Sequence, residues 1–323
     1  MRSSVRVLPE LFLARLKKIV PSQKLDTVAN TFADPKPTTF RVNTLKANRN
    51  LVKEKLEREG FRLESISWYP EAFIVREGRL KDLEKTEIYK NGEIYIQNLS
   101  SMIPPLVLSP KPGEAVLDLT AAPGSKTTQM ASLMKNEGKI IANESDKVRF
   151  EKLKSNVLLQ GAKNVEVILG YGESIGKKFP EHFDKVLLDA PCSAEGRFDV
   201  RTPSSYRYWN LKTVRENAKL QKKLLASAIA ALKPGGVLVY STCTFAPEEN
   251  EEVINDALER FKGMVEIENV GARHASPLRS LSNQMSGLTA WEGQKFSPEV
   301  RKSVRVLPTE TMEGFFVAQL RKK

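Results

Sequence analysis

Cysteine and histidine are almost missing. The 323-residue chain carries two of each, Cys192, Cys243, His182 and His274. Two thiols build neither a disulfide framework nor a zinc cluster, and so few histidines leave metal chemistry of the His/Cys kind without ligands; no metal is expected. Long apolar runs are missing too, since no window approaches the roughly 18 consecutive apolar residues of a membrane-spanning helix. The opening MRSSVRVLPELF lacks the apolar block and small residues of a secretory leader. A cytoplasmic protein with reduced thiols and no membrane partner is expected. Acidic side chains are in deficit, 39 against 51 Lys and Arg, for a formal charge of +12. Such an excess is either a solvated basic surface or an attraction for phosphates, the sequence-independent part of nucleic-acid affinity, and charge alone does not choose between them. Apolar material is plentiful at 41% of residues, enough to bury a core in one large domain or two ordinary ones.

Residues 101–323 alternate strand and helix patterns, which predicts a doubly wound α/β sheet, mostly parallel, with helices on both faces. AVLDLTA (115–121), KIIANE (139–144), VEVILG (165–170), KVLLDA (185–190) and VLVYSTC (237–243) read as its strands. After the first, Met130, Leu133 and Met134 fall at helical spacing; after the second, Val148, Leu153 and Val157 are expected to face inward. A long helix ends at LKPGG (232–236), and Pro247 suits the first turn of a helix that points Val253, Ala257, Leu258 and Phe261 inward. MVEIENV, SVRVLP (303–308) and GFFVAQL (314–320) close the sheet, the last two near enough in sequence to form a hairpin and hence an antiparallel closing strand.

Residues 1–100 read differently. LPELFLARLKKIV is a short amphipathic helix, followed by TTFRVNTLK, the helical VKEKLEREG and the strand-like FRLESISW, AFIVRE and EIYIQ. That is a helical lead and a small α+β domain, with a boundary between Gln97 and Pro112. A second copy of SVRVLP at 4–9 is taken as coincidence, because nothing else repeats. The stretch 271–302 is too long for a routine loop and is either disordered or a substrate-binding element.

In an open α/β sheet, ligands bind beyond the carboxyl ends of the strands. Those ends read TAAPGSKT, NES, GYGE, DAPCSAEG and STCTF, so both cysteines, Asp189, Glu144 and a glycine turn converge on one rim. The first tip lacks the upstream glycine of a phosphate-gripping loop, and no G-x-G-x-x-G follows the first strand, which argues against a nucleotide hydrolase and a dehydrogenase. A tight turn at a helix start against a nucleoside-type cofactor fits better, with Glu144 placed where an acid hydrogen-bonds ribose hydroxyls. A free cysteine is more often a small buried hydrophobe than a reagent. Here each thiol lies just past an apolar strand end among hydroxyl residues, and a polar rim with Lys126 suits a working thiolate. A redox pair and a nucleophile are both open, the nucleophile preferred.

DAPCSAEG (189–196), STCT with FAPEENE (241–251) and AAPGSKTTQ (121–129) resemble the signature segments of the NOL/NOP/Sun family of S-adenosylmethionine-dependent RNA cytosine-5 methyltransferases. The likeness runs from LPELF and FRVNTLK to GFFVAQLRKK, nearly the whole chain, and is greatest to the bacterial branch that modifies small-subunit ribosomal RNA. That branch usually carries a further C-terminal RNA-binding domain, and this chain stops without one. The resemblance implies a Rossmann-like methyltransferase domain over 101–323 behind an RNA-contacting domain over 1–100. It implies S-adenosyl-L-methionine as cofactor and RNA as partner, ribosomal before transfer RNA; a monomer is expected.

The resemblance also implies roles. Cytosine carbon 5 is too weak a nucleophile to take a methyl group unaided, and a thiolate added to carbon 6 activates it. Cys243, in the T-C-T segment, is the expected nucleophile; Cys192 is expected to assist breakdown of the adduct, Asp189 to hold the base and Lys126 to polarise the cluster. Thr120, Ala121, Ala122, Pro123, Gly124, Ser125 and Lys126 are expected to wrap the methionine and ribose end, with Glu144 on the ribose hydroxyls, Arg149 beside it and Asp189 nearby. Where the family generally shows an aspartate facing the adenine amine, this chain has Tyr171. Thr120 replaces a frequent cysteine. The base must leave its stack to reach such a site. Arg41, Asn43 and the segment Tyr206, Tyr208, Trp209 are candidates for gripping flanking nucleotides, although the aromatics more simply pack a strand-to-helix connection. A non-catalytic RNA-binding assembly factor is the reading of another class; the presence of both cysteines speaks against it.

Overall fold

Residues 8–270 and 277–323 are described by a computed structural model. The front of the chain gives helices α1 (Glu10–Ile19) and α2 (Ser22–Asn30), then β1 (Thr39–Val42), α3 (Arg49–Arg58), β2 (Arg62–Ser65), β3 (Ala72–Glu77), the one-turn helices α4 (Leu80–Leu83) and α5 (Glu87–Lys90), and β4 (Ile94–Ile96). The strands form an antiparallel sheet in the order β2-β3-β1-β4. Alternation gives it two faces: Phe40, Val42, Phe73 and Val75 bury against Val52 and Leu56 of α3, while Ala72 and Ile74 turn toward the rest of the molecule. Asn48 caps α3 by accepting from Asn50 N.

The second half opens on α6 (Leu99–Leu108) and continues β5 (Ala115–Asp118), α7 (Ser125–Leu133), β6 (Lys139–Glu144), α8 (Lys147–Leu159), β7 (Val165–Leu169), α9 (Gly172–Lys178), β8 (Phe183–Asp189), α10 (Leu211–Ala231), β9 (Leu232–Thr242), α11 (Glu251–Arg260) and β10 (Val265–Glu268). It ends on β11 (Gln284–Ser286), a small ribbon of β12 (Ala290–Trp291) and β13 (Gln294–Lys295), then β14 (Val304–Val306) and β15 (Phe315–Lys322). Strands pair in the order β7-β6-β5-β8-β9-β15, parallel from β7 to β9. β15 is antiparallel to β9, to β14 and to β10. The expected hairpin of SVRVLP and GFFVAQL is the β14–β15 pair; the front copy of SVRVLP lies mostly outside the described residues.

Strand alternation again sorts the core. Leu117, Val186, Leu188, Leu238 and Tyr240 face α10 and α11, whereas Val116, Leu187, Val237 and Val239 face α6, α7 and α8. The lead helices α1 and α2 pack on the large sheet's helical layer rather than on the small sheet: Phe12 meets Phe198 edge-on at 4.9 Å between ring centroids and Phe32 at 5.6 Å. Leu153 and Val157 point inward from α8, but Val148 is 80% exposed. At about 100° per residue, positions nine apart stand on opposite sides of a helix, so Val148 cannot share the stripe of Val157. In the long connection, 277–302 forms short 3-10 turns and strands that return to β14, and 271–276 lie outside the described residues.

Arg41 and Asn43 were candidates for RNA contact and are interior struts instead. Arg41 is fully buried, donating Nε to Gln97 Oε1 at 2.9 Å and Nη2 to Ser125 O at 3.0 Å and Thr128 Oγ1 at 2.7 Å. Asn43 donates to Gly92 O and Gln160 O at 2.9 and 2.8 Å. Both tie the small sheet to α7 and α8, because polar groups at a buried junction need partners there.

Candidate active site

The carboxyl ends of β5, β6, β8 and β9 meet on one rim. Past β5, Gly124 takes φ +102° and starts α7, and its amide bonds back to Ala121 O at 2.8 Å, so the 121–124 loop folds on itself. A Cβ at Gly124 would stand 3.0 Å from Leu153 Cδ1, and with the left-handed backbone this explains the glycine. Lys126, in the first turn of α7, is buried and reaches Asp189 Oδ2 at 2.7 Å and Ser101 Oγ at 2.6 Å. Asp189, at the end of β8, also accepts Ser241 Oγ at 2.7 Å on Oδ1, and its carbonyl accepts Thr120 Oγ1 at 2.9 Å. Lys126, Thr120, Asp189 and Ser241 thus form one hydrogen-bonded unit across the tips of β5, β8 and β9.

Beyond β6, Glu144 Oε1 accepts Ser145 N and Asp146 N at 2.8 and 3.0 Å. Its Oε2 lies 3.6 Å from Arg149 Nη2, buried and without a hydrogen-bond partner. Arg149 in turn donates to Ala122 O at 2.8 Å, linking this tip to the first. Asp118, which reading the sequence passed over, is the last residue of β5. One oxygen accepts Thr127 Oγ1 at 2.6 Å and the other is buried without a partner. Burial pushes its carboxyl up to about 7. Two orphaned carboxylate oxygens on neighbouring strand ends suit a ligand rich in N–H and O–H donors, and S-adenosylmethionine offers an ammonium group and two ribose hydroxyls. The residues present therefore fit that cofactor. Tyr171 stands largely exposed before α9, apart from this buried cluster.

The two thiols are half-buried and face each other, Cys192 Sγ to Cys243 Sγ, at 3.4 Å. Their tips are stitched together by Ser193 Oγ and Thr244 Oγ1 at 2.7 Å and by Gly196 N donating to Cys243 O at 2.9 Å. The bond to Cys243, and then burial, push the Cys192 thiol well above its ordinary range. The FAPEENE segment supports the pair from behind. Glu248 pairs with Arg15, Glu249 accepts Ser193 N, Asn250 bonds Thr242 and Thr244, and Glu251 forms a buried ion pair with Arg305.

Two charged residues that the sequence reading did not single out stand beside the thiols. Arg197 Nε lies 3.5 Å from Glu313 Oε2, and Glu313 and the nearby thiols hold the guanidinium pKa up. Their neighbours Gly196 and Gly314 bond at 3.1 Å, which seats Arg197 and Glu313 side by side. A lone arginine or glutamate in a loop gives no signal in sequence; only the contact of two loops reveals them. Of the aromatic segment, Trp209 donates Nε1 to Glu195 Oε1 at 2.9 Å and packs in the core with Tyr206, while Tyr208 is exposed with Arg207 stacked on it.

A sheet parallel from β7 to β9 and antiparallel from β15 onward, with a turn-and-acid cradle at two tips, is the frame of a nucleoside-cofactor methyltransferase. Comparison with known proteins makes that specific. Residues 105–321 match the model for the family "16S rRNA methyltransferase RsmB/F", and residues 8–99 match "N-terminal domain of 16S rRNA methyltransferase RsmF". The tRNA (cytosine(49)-C(5))-methyltransferase of Pyrococcus abyssi is 40% identical, covering 95% of this chain and 96% of the relative. Ribosomal RNA small subunit methyltransferase F of Vibrio campbellii is 38% identical over 98% of this chain, which spans 63% of that relative's length. A crystal structure of a methyltransferase homolog from Pyrococcus horikoshii superimposes with a TM-score of 0.80 at 34% identity, covering 98% of this chain and all of that one. The chain belongs to the RsmB/F family. It is an RNA methyltransferase of the cytosine-5 class, and its family takes the methyl group from S-adenosylmethionine.

Proposed function

We propose that this protein methylates carbon 5 of one cytosine in small-subunit ribosomal RNA through a covalent adduct on Cys243. The observation that carries the covalent step is the 3.4 Å thiol pair beside the Lys126–Asp189 unit on one rim. Cys243 attacks carbon 6 of the flipped base as a thiolate, and carbon 5 gains the electron density it needs. Lys126, steadied by Asp189 and Ser101, stands beside the base where the ring collects negative charge, and Asp189 holds the base. S-adenosylmethionine, when bound, supplies an electrophilic methyl group; Asp118, Glu144 and residues 120–126 would hold it. Release needs a base for the carbon 5 proton, whose electron pair restores the ring double bond while the carbon–sulfur pair returns to Cys243. Cys192 suits that task. The Cys243 contact, then burial, hold the Cys192 proton in the free protein; once Cys243 is bonded to carbon the first of these is gone, the Cys192 proton passes to solvent, and the thiolate takes the carbon 5 proton.

The ribosomal target is supported by the two family models that together match nearly the whole chain. Transfer RNA is the second reading, favoured by the match along 96% of the Pyrococcus abyssi enzyme. We assign RNA contact to a unit of residues 1–100 and the chemistry to 101–323, and read the protein as a cytoplasmic monomer. Among the described residues no helix is long and apolar enough to cross a membrane.

Incubation with labelled S-adenosylmethionine and total RNA from cells lacking the enzyme tests the target. New 5-methylcytosine at one ribosomal position is expected; one in transfer RNA selects the second reading, and none anywhere from folded protein refutes both. Cys243→Ala should abolish both transfer and adduct, and retained activity removes its role. Cys192→Ala should leave a gel-stable protein–RNA adduct, and normal turnover removes the release role.

A further inference from the structure

Behind the thiols lies a buried acid that the methyl-transfer scheme leaves unused. Glu249 is fully buried in the 3-10 turn Pro247–Glu249. Its carboxylate accepts Ser193 N at 3.0 Å on Oε2 and 3.3 Å on Oε1, and Gln221 Nε2 at 2.9 Å. Gln221, fully buried on α10, donates the same nitrogen to Pro191 O at 2.8 Å, and its Oε1 has no partner. The peptide groups on both sides of Cys192 are therefore gripped by one carboxylate–carboxamide pair. An amide that leaves its own oxygen unsatisfied to make both bonds is turned by the demand of a carboxylate acceptor.

We propose that Glu249 and Gln221 are positioning residues for the release step, fixing Cys192 against Cys243, with the carboxylate form of Glu249 as the form that holds. This rests on the reading of Cys192 as the release thiol. Among the described residues that carboxylate has no salt-bridge partner. Nearby are Cys192, Glu195 and Tyr240. The cations on adjoining elements are engaged elsewhere, Lys222 with Glu252, Arg305 with Glu251 and Arg15 with Glu248. Burial pushes the Glu249 carboxyl up to about 7, so the grip strengthens as pH rises through neutrality.

The test follows decay of the protein–RNA adduct on denaturing gels. The full chain is incubated with S-adenosylmethionine and total RNA from cells lacking the enzyme, from about pH 6 to about pH 8. In the wild type, decay should accelerate as pH rises through about 7. Glu249→Gln keeps the shape and removes the charge; its adduct should persist about tenfold longer and lose the acceleration near pH 7, because small misplacements of a reacting group cost about that much or more. Cofactor binding should stay at the wild-type level. Gln221→Met, which releases Pro191 O and leaves Glu249 in place, should also prolong the adduct, and it decides the matter alone if Glu249→Gln does not fold. Wild-type decay in either folded variant, with a persistent adduct in Cys192→Ala, overturns the inference alone. No persistent adduct in Cys192→Ala overturns the release reading and this inference with it.

Discussion

At the scale of single residues, Asp118 makes the clearest demand on the protein. Its carboxyl is wholly buried at the end of β5 and is pushed by that burial from 3.8 up to about 7. The folded protein therefore keeps a proton that the unfolded chain has lost, so this group makes stability fall as pH rises from about 4 to about 7, after which the effect is complete. Asp118→Asn should flatten the change, making the variant more stable than the wild type at about pH 8 by something on the order of 4 kcal/mol before relaxation. Urea melts at about pH 5 and about pH 8 check it, and an equal pH difference in both proteins would show that another group is responsible. The same melts with S-adenosylmethionine added should favour the wild type if the orphaned oxygen takes the cofactor as proposed. Reading the strand as 115–121 passed over Asp118; that it ends the strand, and that like Glu144 it carries a buried oxygen without a hydrogen-bond partner, came from the fold.

At the scale of elements, the thiol pair depends on how two loops cross. Gly196 follows β8, Gly314 precedes β15, and a Cβ built on Gly196 would lie 2.2 Å from Gly314 O. That obstacle is backbone, so it cannot swing aside as a side chain would. Gly196→Ala should cost about 1–3 kcal/mol through overpacking, and because Gly196 N also bonds Cys243 O, methyl transfer should fall further than stability implies. Transfer rates measured beside thermal melts separate the two; a variant losing stability alone would show that the crossing does not position Cys243. Strands and helices themselves were readable because burial imposes periods of about 2 and 3.6 residues. The error at Val148 came from a residue just inside a helix start, where an apolar side chain satisfies propensity without facing the core.

At the scale of the whole molecule, the small sheet and the large one are joined by polar groups as well as apolar ones. Arg41 carries a buried charge from β1 to the first turn of α7, the turn that also bears Lys126. Burial lowers its pKa, and one of its nitrogens has no partner. Arg41→Met relieves that desolvation but strands Gln97 Oε1 and Ser125 O, so global stability should change little while the junction loosens. Weaker binding of S-adenosylmethionine, by several-fold, and faster proteolysis between 97 and 112 are expected. Unchanged titration and digestion would mean that the junction does not support the cofactor loop. The lead helices make a related point: an amphipathic α1 announces a buried face, yet its partner across Phe198 and Trp209 lies some two hundred residues away.

Much of this protein is written locally. Apolar alternation, proline and glycine punctuation and the order of the strands place Asp189, Cys192 and Cys243 at strand ends, and the motif segments identify the chemistry those ends serve. Local pattern cannot specify distance between tips, because a strand's sequence constrains its own faces and not its neighbour in space. Tertiary packing therefore decided that the sulfurs stand 3.4 Å apart, that Arg41 is a strut rather than an RNA contact, and that Glu249 and Gln221 grip the chain on both sides of Cys192. Each of these follows from burial: once polar groups are shut away from water they must find partners, and the fold determines which ones are within reach.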